Sequence, residues 1–227
     1  MNAHEIAACF DLTILRATCT GREINDLTAK ARKMGTAAVC IHPINITRAS
    51  RALAGSNVAV ATVIGFPFGA VPTDWKKREA ENAVAAGANE LDMVMNLGAL
   101  FENNFSMVQA DIEAVVEAGV KVKVIVEACL LSDEQKISAA KVIADTGAHF
   151  VKTCTGVGAN FADPKDVALL RKHLPASVKI KASGQVNSLV RFQELKKAGA
   201  DRFGLLPEQA DTILKEFFQN QKEGKNV

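Results

Sequence analysis

The sequence predicts a single-domain α/β fold, a (β/α)8 TIM barrel, and three observations carry that prediction. Short β-branched apolar runs alternate with longer segments of helical period, eight times over within 227 residues. The runs are continuously apolar rather than alternating, as expected for parallel strands buried on both faces. Four helical segments stop at a glycine among small residues, in Ala86-Gly87-Ala88, Ala118-Gly119-Val120, Thr146-Gly147-Ala148 and Ala198-Gly199-Ala200. Glycine there takes the left-handed conformation that ends a helix. The competing architecture is a doubly wound open sheet. No G-x-G-x-x-G follows the first strand, which weakens it. The repeat of about 30 residues also suits a helical solenoid, but the β-branched runs argue against one.

In chain order the strands are expected at Ala8 to Leu15, Ala37 to His42, Val58 to Gly65 and Glu90 to Met95. The other four are expected at Val122 to Glu127, His149 to Lys152, Val178 to Lys181 and Arg202 to Phe203. The helices between them are expected over Arg22 to Met34, Ile46 to Leu53, Asp74 to Ala86 and Phe105 to Ala118. They continue over Ser132 to Asp145, Pro164 to His173, Ser188 to Ala198 and Pro207 to Phe218. Ser132-Asp133-Glu134-Gln135 has the capping-box pattern of a helix start. The barrel is expected to span 1–219, with 220–227 as a flexible tail.

The bulk numbers narrow the function. Hydrophobic residues make up 48%, enough for a substantial core, and the net charge is +2. That balance gives no case for nucleic acid or a membrane as partner. The one basic cluster, Trp75-Lys76-Lys77-Arg78, reads as a solvated helix start. No apolar run reaches about 18 residues, and no signal peptide is visible. The five cysteines are odd in number and lack a C-x-x-C pair, which fits a reducing cytoplasm. The four histidines show no metal-ligand spacing, so neither a metal nor a cofactor is expected. A homo-oligomer is compatible with the sequence, and Phe217 and Phe218 in the last helix are read as an exposed pair.

In a (β/α)8 barrel the active site lies at the C-terminal ends of the strands. Asp11, Asp92, Glu127, Lys152 and Lys181 are the polar residues placed there. Lysine is rarely buried unless it is paired or working. An amine at the end of an apolar strand becomes a nucleophile toward a carbonyl once it loses its proton, and a second amine beside it disfavours the charged form. Lys152 and Lys181 close strands six and seven, and the Thr153-Cys154-Thr155-Gly156 turn follows Lys152. Schiff-base chemistry on Lys152 is therefore the leading expectation. Asp92 is expected on the same rim, as a proton carrier or as the partner of a buried lysine. Cys40 and Cys154 read as packing thiols. Gly156 with Gly158, Ser183-Gly184 and Gly204 are expected to follow strands six, seven and eight as anion-holding loops or plain turns.

These motifs resemble the deoxyribose-phosphate aldolase family over nearly the whole chain. The markers are Val39-Cys40-Ile41-His42-Pro43, Val63-Ile64-Gly65-Phe66-Pro67-Phe68-Gly69 and Gly87-Ala88-Asn89-Glu90-Leu91-Asp92-Met93-Val94. Further on come Lys123-Val124-Ile125-Val126-Glu127, Phe150-Val151-Lys152-Thr153-Cys154-Thr155-Gly156 and Lys181-Ala182-Ser183-Gly184. The resemblance implies a class I aldolase without a metal, with Lys152 as the Schiff-base lysine, Lys181 as its activating neighbour and Asp92 in the proton relay. The implied reaction is reversible cleavage of 2-deoxy-D-ribose 5-phosphate to D-glyceraldehyde 3-phosphate and acetaldehyde. Asp11, Thr13, Cys40 and Thr155 are candidate substrate-binding residues. Gly156, Ser183, Gly184 and Gly204 complete that set.

The chain departs from the family where phosphate is held. Gly184-Gln185-Val186-Asn187 lacks the second glycine and the arginine, and Gly204-Leu205-Leu206-Pro207 lacks small or hydroxyl residues. Weaker phosphate affinity, or a different or non-phosphorylated substrate, is the expectation from those loops. Two other readings stay open: an isomerase or lyase working without an imine, and a non-catalytic sugar-binding barrel.

Overall fold

Eight strands hydrogen-bond in chain order and the last pairs with the first, closing a parallel barrel. They are β1 (Phe10–Ile14), β2 (Ala38–Ile41), β3 (Ala59–Ile64), β4 (Glu90–Val94), β5 (Lys121–Ile125), β6 (Phe150–Lys152), β7 (Lys179–Ser183) and β8 (Arg202–Leu205). The computed structural model describes residues 1–157 and 161–224. Closure runs through Phe10↔Phe203, Asp11↔Gly204 and Leu12↔Leu205.

The outer ring holds α2 (Gly21–Met34), α3 (Ile46–Leu53), α4 (Thr73–Ala85), α6 (Phe105–Val116), α7 (Asp133–Ala144), α8 (Pro164–His173), α9 (Leu189–Lys197) and α10 (Pro207–Lys222). Two further five-residue helices, α1 (Ala3–Ala7) and α5 (Leu97–Phe101), went unread in the sequence. Five residues are too few to display a helical period. The four glycine stops all have positive φ, at 108° for Gly87, 76° for Gly119, 77° for Gly147 and 112° for Gly199. The capping box of α7 is present, with Gln135 N–H donating to Ser132 Oγ at 3.3 Å and Ser132 N–H to Gln135 Oε1 at 2.9 Å.

Strand residues alternate between the helix-facing side and the barrel interior. Phe10, Leu12 and Ile14 join the large core between strands and helices, whereas Ala38, Cys40, Ala61 and Val63 form a separate small cluster. Small side chains on β2 and β3 leave interior volume, which long charged side chains from β4 to β8 fill.

Several expectations change. β7 extends to Ser183 and β8 to Leu205, so Ser183 and Gly204 are strand residues rather than loop residues. Helix α10 continues through Lys222, three residues into the expected tail; 225–227 lie outside the described residues. Lys76 is not part of a solvated helix start. It is fully buried beneath α4, donating to Asp111 Oδ2 at 2.5 Å and to the Val94 carbonyl at 2.9 Å. Phe217 is buried in the core, and only Phe218 is exposed.

Candidate active site

The register places the candidate residues on neighbouring strands. Lys152 is paired with Lys181 across β6 and β7, and Asp92 with Lys123 across β4 and β5. Their side chains meet inside the barrel rather than at its rim, and Asp11, Asp92, Lys123, Lys152 and Lys181 are all buried. Asp92 is the hub. Its Oδ2 accepts from Lys152 Nζ at 2.9 Å and from Lys181 Nζ at 2.7 Å, and its Oδ1 accepts from Lys123 Nζ at 2.6 Å. The Cys40 thiol lies 3.8 Å from the same Oδ2.

A second layer holds the first in place. Asp11 accepts from Lys181 through Oδ2 and from Arg202 at 2.6 Å through Oδ1. Glu90 pairs with Lys123 at 2.7 Å and with the half-exposed Lys121 at 2.8 Å. Arg202 also sits 5.5 Å from the centre of the Phe150 ring, a cation–π contact. Asp11, a candidate both for substrate contact and for a barrel-lining network, places its carboxylate oxygens on Lys181 and Arg202.

Burial by itself favours the neutral form of every group here. For Asp92 that penalty is outweighed by Lys123, Lys152 and Lys181, which hold its carboxyl well below the ordinary range. Burial would likewise lower the Lys181 pKa, yet attraction to Asp11 and Asp92 wins and raises it. Lys181 is thus a fixed cation bonded to the same oxygen as Lys152. Three buried carboxylates, those of Asp11, Glu90 and Asp92, face Lys123, Lys152, Lys181 and Arg202. Cations outnumber carboxylates. Lys152 contributes one of these ion pairs, against two for Lys181 and three for Lys123.

The other candidates surround this centre. Thr13 faces inward from β1 beside Cys40, its hydroxyl donating to the Asp11 carbonyl at 2.9 Å. Ser183 Oγ is buried and has no hydrogen-bond partner among the described residues. Gly204 lies against it: an added Cβ would stand 2.3 Å from Ser183 Oγ and 3.1 Å from Lys181 Cε. Its lack of a side chain therefore makes room for the lysine. Thr155 N–H donates to Glu127 Oε2 at 3.1 Å, and its hydroxyl accepts from Val157 N–H at 3.2 Å. Glu127 lies beyond the end of β5, at φ 48°, and not on the strand itself. Gly156 has φ 79° and Gly184 φ 96°, while Gly158 lies outside the described residues. Gln185 has φ 53° and is exposed. Leu206 N–H donates to Gln209 Oε1 at 2.8 Å at the start of α10.

Sequence reasoning passed over Lys123, Glu90 and Arg202 as site residues. The available signal was the spacing Glu90-x-Asp92 and Lys121-x-Lys123, which puts two charges on one face of a strand. Between apolar neighbours in a barrel strand, that face is the interior.

Comparison with known proteins agrees with this geometry. The model of the DeoC/LacD family of aldolases matches residues 6–207. This chain belongs to that family. A deoxyribose-phosphate aldolase from Lysinibacillus sphaericus is 45% identical over 201 residues, covering 87% of this chain and 90% of the relative. One from Aciduliprofundum boonei is 42% identical, covering 90% of this chain and 94% of the relative. The solved tetrameric deoxyribose phosphate aldolase from Aeropyrum pernix superposes with a TM-score of 0.87 at 30% identity, covering 96% of this chain and 92% of that one. Among the described residues, no helix of this aldolase is long and apolar enough to cross a membrane.

Proposed function

We propose that this aldolase reversibly cleaves 2-deoxy-D-ribose 5-phosphate to D-glyceraldehyde 3-phosphate and acetaldehyde through an imine on Lys152. The observation that carries the proposal is the sharing of Asp92 Oδ2 by Lys152 and Lys181 inside a barrel with an excess of cations. The neutral Lys152 amine adds to the C1 aldehyde of the open-chain sugar, and loss of water gives the imine. Removal of the C3 hydroxyl proton breaks the C2–C3 bond, releases glyceraldehyde 3-phosphate and leaves an enamine. Protonation at C2 and return of water then release acetaldehyde and restore the amine. Lys181 stays charged and shares Asp92 Oδ2 with Lys152. Asp92, bonded to the Lys152 amine, takes and returns protons there during imine formation and release. Asp11 and Arg202 position Lys181. Ser183 Oγ, Thr155, Gly156 and Gly184 are assigned to substrate contact, with Thr13 and Cys40 lining the approach.

The named relatives support the phosphorylated substrate over a non-phosphorylated one and over a non-catalytic sugar-binding barrel. Residence in a reducing cytoplasm belongs to the same proposal and is supported by five unpaired cysteines. So does a homo-oligomer, supported by the tetrameric relative and checked by light scattering. The chemistry is tested by incubation with deoxyribose 5-phosphate or deoxyribose, borohydride reduction and peptide mapping. A reduced adduct on Lys152, formed more readily from the phosphate, is the expected outcome. An adduct elsewhere, or turnover without any adduct, overturns the imine assignment.

A further inference from the structure

The loops after β5 and β6 bring together three side chains that the aldol reaction does not use. Glu127 and Cys129 follow β5, and Cys154 follows β6 two residues beyond Lys152. One carboxylate oxygen and the two sulfurs all lie within 4.8 Å of one another. Cys129 Sγ is 3.5 Å from Glu127 Oε1. A tetrahedral zinc ion with Zn–S near 2.3 Å and Zn–O near 2.1 Å separates its sulfur and oxygen ligands by about 3.5 Å. The Cys129–Glu127 contact, a thiol hydrogen bond without metal, thus already has the spacing of two ligands on one zinc ion, and Cys154 Sγ lies within 4.8 Å of both.

We propose that Glu127, Cys129 and Cys154 form a binding site for a soft, thiolate-preferring divalent cation of the zinc class, with no fourth protein ligand among the described residues. Two sulfurs and one carboxylate select against magnesium and calcium, which require oxygen ligands. The carboxylate is already oriented, because its Oε2 accepts the Thr155 N–H at 3.1 Å while Oε1 faces Cys129. An outer partner of this kind fixes a metal ligand in place. Cys154 is buried and Cys129 is exposed, so the site opens to solvent from the Cys129 side. On binding, both thiols deliver their protons to solvent and the sulfurs bond to the cation as thiolates, with no change of oxidation state. Residues 127, 129 and 154 have no metal-ligand spacing in the chain, which is why the sequence showed no such site.

The test is titration of the full-length protein, kept reduced with a phosphine, with cobalt(II) as a spectroscopic stand-in for zinc. The expected result is sulfur-to-cobalt charge-transfer absorption together with tetrahedral d–d bands. Both saturate at one equivalent per chain and are displaced by zinc(II). Cys129→Ser alters an exposed position and is expected to cut the charge-transfer intensity at saturation to about half or less and to weaken binding, without affecting the fold. Cys154→Ser is expected to do the same, and Glu127→Gln to weaken binding at least tenfold while leaving the thiolate absorption. Circular dichroism establishes that each variant is folded. Absence of cobalt–thiolate absorption in the reduced wild-type protein overturns the proposal. So does absorption that survives in Cys129→Ser/Cys154→Ser, because the ligands would then be other thiols.

Discussion

Two buried lysine sites in this barrel are treated differently by their surroundings. Under α4, Lys76 meets Asp111 one to one, and burial still pushes its pKa down against the pull of that carboxylate and of Glu79. Inside the barrel, Lys181 meets both Asp11 and Asp92, and the pair of carboxylates overcomes burial and raises its pKa. Asp111, bonded to Lys76, and the more distant Glu79 do not offset burial there, whereas Asp11 and Asp92, both bonded to Lys181, do. The interior cluster also carries more cations than carboxylates, whereas Lys76 and Asp111 cancel. Burial of a lysine is thus no mark of catalysis. The site proposed for catalysis differs in that one carboxylate is shared by three lysines.

Removing the lysine in each place is the strongest way to break this contrast. Lys152→Ala is expected to lower kcat/KM for deoxyribose 5-phosphate by about 10³-fold or more and to eliminate the borohydride-trapped adduct. Lys76→Met is expected to leave kcat within about twofold while costing roughly 3–5 kcal/mol in urea unfolding, because Asp111 stays buried without its partner. Lys76→Met/Asp111→Leu is expected to recover most of that loss. A large drop in kcat for folded Lys76→Met would erase the distinction between the two sites.

Asp92→Asn sharpens the role of the hub. It is expected to reduce kcat by about 10²- to 10⁴-fold, the usual share of a proton carrier. It removes the carboxylate that three lysines share, so the unfolding midpoint in urea falls as well. Activity within a factor of two of wild type would remove Asp92 from the relay.

Stability against pH follows from the same charges. Asp11 and Asp92 have folded-state pKa values below the unfolded value of about 3.9. Their contribution is complete above about pH 5 and is lost progressively as pH falls toward the depressed folded values. Lys181 has a folded pKa above its unfolded value of about 10.4, so its contribution is complete below that pH and is lost as pH rises through the higher value. Thermal melts are expected to drop steeply below about pH 4, and less steeply in Asp92→Asn. An equal acid dependence in both proteins would place the sensitivity elsewhere.

The smallest effect expected is that of Ser183→Ala. With no hydrogen bond to lose, the change costs under about 1 kcal/mol of stability. If Ser183 Oγ contacts substrate, KM rises by roughly 5- to 10-fold, the worth of one hydrogen bond. An unchanged KM would remove Ser183 from the substrate site.

The barrel was legible in the chain alone, because strand and helix periods and glycine stops are local signals that survive without tertiary context. Helix α3 and helix α8 match their expected spans residue for residue. The sequence also singled out Lys152, Lys181 and Asp92, since a charge within an apolar strand is anomalous wherever it lies. What those charges meet emerges from the folded barrel. That Asp11 turns to Lys181 and Arg202, that Lys123 joins the hub, and that Gly204 makes room for a lysine all depend on side chains from strands far apart in the chain. The same is true of Lys76, whose partner Asp111 comes from another helix 35 positions away. Composition places a lysine in a segment, but barrel closure and interstrand register determine which carboxylate it reaches.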